Sequence, residues 1–197
     1  MSPSYVVWRD RPDGKRCHLA PILNVERAAY LLEGVPLLAG WPENACYEMD
    51  RAYKTRTRLT DSLIGRNFGV VISERLRDFL LAHEVDGIEF LPVAVVDHKG
   101  KTVEEKYYLV NNIDQQDAFD QTQSVYERNT IDENQIDTVA KLVLDYAKIK
   151  PTAQLFRLKH FKRMMLVRED LAAKLTASGM TGFSFMTLER FIEFTNS

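Results

Sequence analysis

The sequence predicts an α+β protein, a mixed and mainly antiparallel sheet with a few short helices packed on it. Three observations lead there. The 197 residues are 45% apolar and 27% charged, which supplies the apolar surface for a sizeable core. Strand-like runs and helical periodicities follow one another without the strict strand–helix alternation that builds a parallel sheet. Five of the seven prolines (Pro3, Pro12, Pro21, Pro36 and Pro42) fall in the first 42 residues. Proline fixes φ and offers no backbone donor, so this region favours short strands and loops over long helices. At roughly 100–200 residues per domain, residues 1–197 read as a single domain, with 1–30 an N-terminal extension of the same fold.

Taken in order, Asp13-Gly14 reads as a turn between strand-like Tyr5–Arg9 and Arg16–Ile22, and Val25–Glu33 as a short helix ending before Gly34. Phe68–Ile72 is apolar and β-branched, a strand that runs into a helix ending near His83. Leu76, Phe79, Leu80 and His83 share one face of that helix; Ser73 is its N-cap, Glu74 suits its positive end and Gly87 follows its last turn. Ile88–Val96 and Tyr107–Ile113 form an antiparallel hairpin with a long tip that begins at Asp97-His-Lys-Gly100. After a polar segment, Val139–Leu144, Leu155–Phe161 and Met164–Val167 read as short strands. A helix over Glu169–Ser178 has acids in its first turn and Gly179 beyond its end, and a last one over Leu188–Thr195, capped by Thr187, buries Leu188, Phe191 and Ile192. No internal repeat or low-complexity segment interrupts this order.

The 26 basic and 28 acidic residues leave a net charge of −2, with no global field to draw the chain onto nucleic acid or an anionic bilayer. A nucleic-acid partner is disfavoured. Met1–Asp10 holds only a short apolar run before charge returns, so it does not read as a secretory signal, and no stretch approaches the ~18 apolar residues of a bilayer span. The expected setting is the cytoplasm, with no membrane partner. Cys17 and Cys46 are too few and too far apart for a zinc ribbon or a disulfide scaffold and read as reduced thiols.

Signals for chemistry are sparse. No glycines form a dinucleotide or phosphate-cradling loop, and no Gly-x-Ser-x-Gly elbow is present. His18, His83, His98 and His160 are scattered; only His83 adjoins a carboxylate, Glu84, and adjacent residues point to different sides of a helix. Neither a metal nor a cofactor is expected, and a binding protein is favoured over an enzyme, although catalytic groups can be assembled from distant segments. Two charge clusters remain. Arg51, Lys54, Arg56, Arg58 and Arg66 surround Tyr53, a set able to grip a nucleic acid but more simply a solvated polar face. Asp114, Asp117, Asp120, Glu127, Asp132, Glu133 and Asp137 lie within 24 residues, offset only by Arg128. Such an acidic surface suits a cationic groove on a partner and would steer association; the plainer reading is a solvated connection.

Six blocks carry a resemblance: Gly40-Trp-Pro-Glu-Asn44, Val71-Ile-Ser-Glu-Arg-Leu76, Gly87-Ile-Glu-Phe-Leu-Pro-Val93, Tyr107-Tyr-Leu-Val-Asn111, Leu155-Phe-Arg-Leu-Lys159 and Val167-Arg-Glu-Asp-Leu171. In order and spacing the chain resembles, over roughly residues 30–186, a bacterial immunity-protein family first catalogued as a domain of unknown function. That family is associated with polymorphic-toxin, type VI and contact-dependent secretion systems. Two places depart from its pattern: Asn111-Asn112-Ile113 stands where such sequences often read Asn-Pro, and Asp117-Ala118-Phe119-Asp120 where they carry an Asp-Cys-Leu-Asp-like block. The matched residues are mostly apolar or turn-forming and carry over no catalytic role. The resemblance implies a cytoplasmic protein that binds a cognate toxin of the same cell and neutralises it stoichiometrically, the seven acids being candidate contacts. Homo-oligomerisation stays open, as do an enzyme that reverses the toxin's modification and an adaptor domain of a secretion apparatus.

Overall fold

The computed structural model describes residues 3–11, 13–26, 28–65 and 69–196; Pro12, Arg27, Arg66 and Phe68, which figure in the sequence reading, lie outside them. The elements run β1 (Tyr5–Asp10), β2 (Cys46–Glu48), β3 (Ser62–Ile64), β4 (Val70–Ser73), α1 (Glu74–Ala82), β5 (Ile88–Val96), β6 (Tyr107–Asn112), β7 (Val125–Arg128), β8 (Ile136–Lys141), β9 (Leu155–Arg157), β10 (Met165–Arg168), α2 (Glu169–Ala177), β11 (Phe183–Met186) and α3 (Leu188–Thr195). This is an α+β fold of mixed, mostly antiparallel sheets with short helices.

Local chemistry sets the helix ends as the sequence predicts. Ser73 and Thr187 accept hydrogen bonds from the Leu76 and Arg190 amides, capping α1 and α3. Gly179 takes positive φ just past α2, whereas at the end of α1 the left-handed residue is Glu84, at φ 53°, with Gly87 three residues further on. Five readings differ: the Leu155–Phe161 run is a strand only over Leu155–Arg157, and Val139–Leu144 overlaps a strand that starts at Ile136 and ends at Lys141. Arg16–Ile22 is not a continuous strand but a segment with isolated bridges at Arg16 and Leu19. The expected helix at Val25–Glu33 is a 3₁₀ turn over Ala28–Leu32. The polar segment is not a bare connection, because β7 and the start of β8 form within it.

The first sheet, ordered β11-β1-β10-β9, is antiparallel throughout, with the N-terminal strand between two C-terminal ones. Its alternation buries both faces. Val7, Leu166 and Phe156 meet Ile136 and Val139 of β8 and Phe191 and Ile192 of α3 in one core. Trp8, Val167 and Leu155 point the other way, into a second core with Leu76 and Leu80 of α1, Leu171 and Leu175 of α2, and Val70, Ile72 and Val110 of the second sheet. Double-sided burial is why Met164–Val167 reads as an unbroken apolar run rather than an alternating one.

The second sheet runs β2-β5-β6-β4-β3, parallel only between β2 and β5. Its far face sends Val71, Leu109, Leu91 and Val93 into a third core with Cys17, Leu19, Tyr47 and Met49. Leu19 bridges both to Met49, just after β2, and to Gly65, just after β3, so residues 16–23 draw the sheet's outer strands together over that core.

Polar seams join the two sheets. Asn112, at the end of β6, accepts from the Arg157 amide at 3.0 Å and donates to the Leu155 carbonyl at 3.2 Å, clamping β9 to the second sheet. A proline at this position would carry no side-chain amide for that clamp. At the opposite seam Thr181 donates its backbone N–H to Asp61 at 2.8 Å, and the Ser62 amide donates to the Thr181 carbonyl at 3.0 Å. Gly182, next in line, sits at φ +94°, and a Cβ there would overlap the Ser62 carbonyl oxygen. Gly179 has φ +70° with open space around it. Gly179→Ala should therefore cost about 1 kcal/mol from backbone strain alone, whereas Gly182→Ala, which must also part the seam, should cost at least about 2 kcal/mol. Urea unfolding of the two variants checks the order.

Candidate functional site

The seven acids are carried by the stretch from the end of β6 through the β7–β8 hairpin. The hairpin is a two-stranded sheet of its own, seated on the first core through Ile136 and Val139, with irregular register at Val125/Tyr126 and Glu127/Arg128. Local cations consume two of the acids, Asp114 pairing with Lys150 at 2.6 Å and Asp137 with Arg163 at 3.0 Å, and Asp117 lies 3.3 Å from His160 Nε2. Asp120 serves the backbone. Its carboxylate accepts from the Gln123 and Thr122 amides and from the Gln123 side chain, and the Gln123 N–H first of all holds it below the ordinary carboxylate range. Beside it Ala118 and Phe119 are buried, so this departure from the family block is a core position followed by the turn-setting Asp120.

The remaining three acids, Glu127, Asp132 and Glu133, gather at the outer end of the hairpin, with no cation at ion-pair distance among the described residues. Glu127 accepts from Thr138 Oγ1 at 3.1 Å across the strand pair. Residues 129–135 are tied down by side chains reaching into the backbone. Asn129 Oδ1 accepts from the Ile131 and Asp132 amides at 2.9 Å, and Asp132 Oδ1 accepts from the Asn134 amide at 3.0 Å. From below, Arg128 donates to the Glu133 carbonyl at 2.6 Å and His160 Nδ1 to the Asn134 carbonyl at 2.7 Å. Ile131 stands at the tip, 95% exposed.

A second feature was not legible in the sequence. A groove of about 930 Å³ is lined by residues of segments 24–26 and 36–44, among them Asn24, Pro36, Leu37, Trp41 and Asn44. Trp41 is fixed there because β2 does not extend alongside Pro92: the indole N–H donates to the free Pro92 carbonyl at 2.7 Å. Glu89 holds the same segment, accepting from the Leu37 amide at 2.8 Å and from Asn111 at 2.9 Å. The groove's lining brings no cluster of titratable groups together.

The basic cluster divides in the same way. Arg58 pairs with Asp13, and Arg51 lies 3.7 Å from Glu48. Arg56 lies over the Tyr53 ring and donates to His18 Nε2 at 2.7 Å, while His18 packs on Tyr53 with ring centroids 4.4 Å apart. Burial first, then Arg56 and Arg16, lower the His18 pKa from 6.5, against an opposing pull from Asp50. A depressed histidine pKa means that neutral His18 favours the folded state above the ordinary pKa, and that this contribution is lost as pH falls through the lower, folded value. By NMR His18 should titrate below 6.5, and Arg56→Met should move its midpoint upward.

Among the described residues no group of three or more His, Cys, Asp or Glu is placed to hold a metal, and no helix is long and apolar enough to cross a membrane. Cys17 is buried, with its pKa pushed up to about 11 by desolvation, and has no trait of an activated thiol. The six blocks noted in the sequence lie on structural joints: Trp41 against Pro92, the start of α1, the β5–β6 pairing, β9 beneath Asn112, and the β10–α2 turn. No curated protein matches the chain. A family model for immunity proteins, Imm11, matches residues 7–190, from the first core strand into α3. This chain belongs to the Imm11 immunity protein family.

Proposed function

We propose that the chain, residues 1–197 acting as one unit, neutralises a cognate toxin of the same cell by stoichiometric occlusion in the cytoplasm, within a polymorphic-toxin or type VI system. Membership of the immunity family over residues 7–190 is the observation that carries this reading. The mechanism needs a preformed surface that covers the toxin's active site or moving parts, burying about 1,200–2,000 Å² in total. Slow dissociation matters more than fast binding once protection must outlast exposure. The acidic face of residues 114–137 contributes steering, which its exposed outer acids supply at low ionic strength.

Titration of the purified chain against the toxin encoded by the neighbouring gene tests this. Protection should plateau at one chain per toxin; rescue of a large toxin excess by a few copies overturns occlusion in favour of turnover. Reversing Asp132 and Glu133 to lysine should slow association several-fold at low salt, and the effect should vanish near ~1 M salt, where the screening length is about 3 Å. Unchanged association at low salt removes the steering role.

A further inference from the structure

We infer that Ile131, at the tip of the β7–β8 hairpin, is the anchor by which the protein enters an apolar pocket, rimmed by basic side chains, on its partner toxin. The inference rests on the toxin-binding reading above and specifies the contact.

Exposure sets Ile131 apart. The other large apolar side chains that are exposed among the described residues range from 39% to 58%, whereas Ile131 is 95% exposed. Lone exposed apolar residues are ordinary on a protein surface, and the others here stay about half covered. At Ile131 almost the whole side chain stays in water, so nearly all of its apolar area remains to be gained in a complex.

The chain around it is already in order. Asn129, Asp132, Arg128 and His160 hold the backbone on both sides of Ile131, so docking need not freeze a loose loop. An apolar side chain on a preordered support, filling a pocket at the centre of a contact, is the usual form of a binding hot spot.

Charge says what surrounds the pocket. The acids nearer the body of the fold are matched by Lys150 and Arg163 or face His160, whereas Asp132 and Glu133 beside Ile131 are not matched by a cation among the described residues. A socket complementary to this tip is apolar at its base and carries Lys or Arg at its rim. The acids then act on the rate of encounter and Ile131 on the lifetime of the complex.

Binding kinetics of the full-length chain with the toxin encoded by the neighbouring gene separate these roles. Ile131→Asp should raise the dissociation rate about tenfold to a hundredfold, while its added negative charge beside Asp132 and Glu133 leaves association no slower than the parent's. Because the side chain is outside every core, thermal unfolding of the variant should match the parent. Leu81→Asp, at an exposed position on α1, serves as a control and should leave both rates unchanged. Equal binding by the parent and Ile131→Asp overturns the anchor while leaving the proposed function standing. So does equal weakening by Ile131→Asp and Leu81→Asp. Failure of the parent chain itself to bind overturns the proposed function, and the anchor with it.

Discussion

The double-sided burial of the β11-β1-β10-β9 sheet is the constraint on which the rest of the structure depends. An antiparallel sheet can leave one face to water, but here Val7 and Trp8, Leu166 and Val167, and Phe156 and Leu155 alternate between two cores. Something must therefore lie on each side. The β7–β8 hairpin and α3 cover one face, and the second sheet with α1 and α2 covers the other. Since β1 lies between β10 and β11, the sheet assembles only when both ends of the chain are present.

Polar side chains between these layers are spent on holding them. Buried Asn112 and Arg16 and the half-buried Asp61 and Glu89 each bond backbone groups that the strands leave over. The same economy applies to the acidic segment, where Asp120 organises a turn and Asp114 and Asp137 neutralise local cations. What remains for a partner is at the periphery. The hairpin tip is braced yet solvated, and the Trp41 groove is shaped by the end of β2.

Much of this fold was legible in the sequence, for local reasons. Ser73 and Thr187 cap their helices within three residues, Gly179 ends α2 by adopting positive φ, and the β5–β6 pairing follows from two long β-rich runs. The strands missed are short: β2 and β3 have three residues each and β7 and β11 four, too few for an alternation to emerge. Arg16–Ile22 misled in the other direction, because its apolar residues fill the third core through isolated bridges rather than along a ladder.

The sequence by itself determined the fold class, the bounds of α1, α2 and α3 to within a residue or so, and the family, since caps and ordered blocks act over a few residues. It also placed seven acids close together along the chain. Only the tertiary structure decided which of them remain unmatched, because Lys150, His160 and Arg163 are brought to Asp114, Asp117 and Asp137 from later segments by β9 and β10 joining the sheet. It likewise left Ile131 in water while Ile136, five positions on, went into the core. Burial depends on which surfaces a packed layer covers, and that is set by contacts between distant parts of the chain.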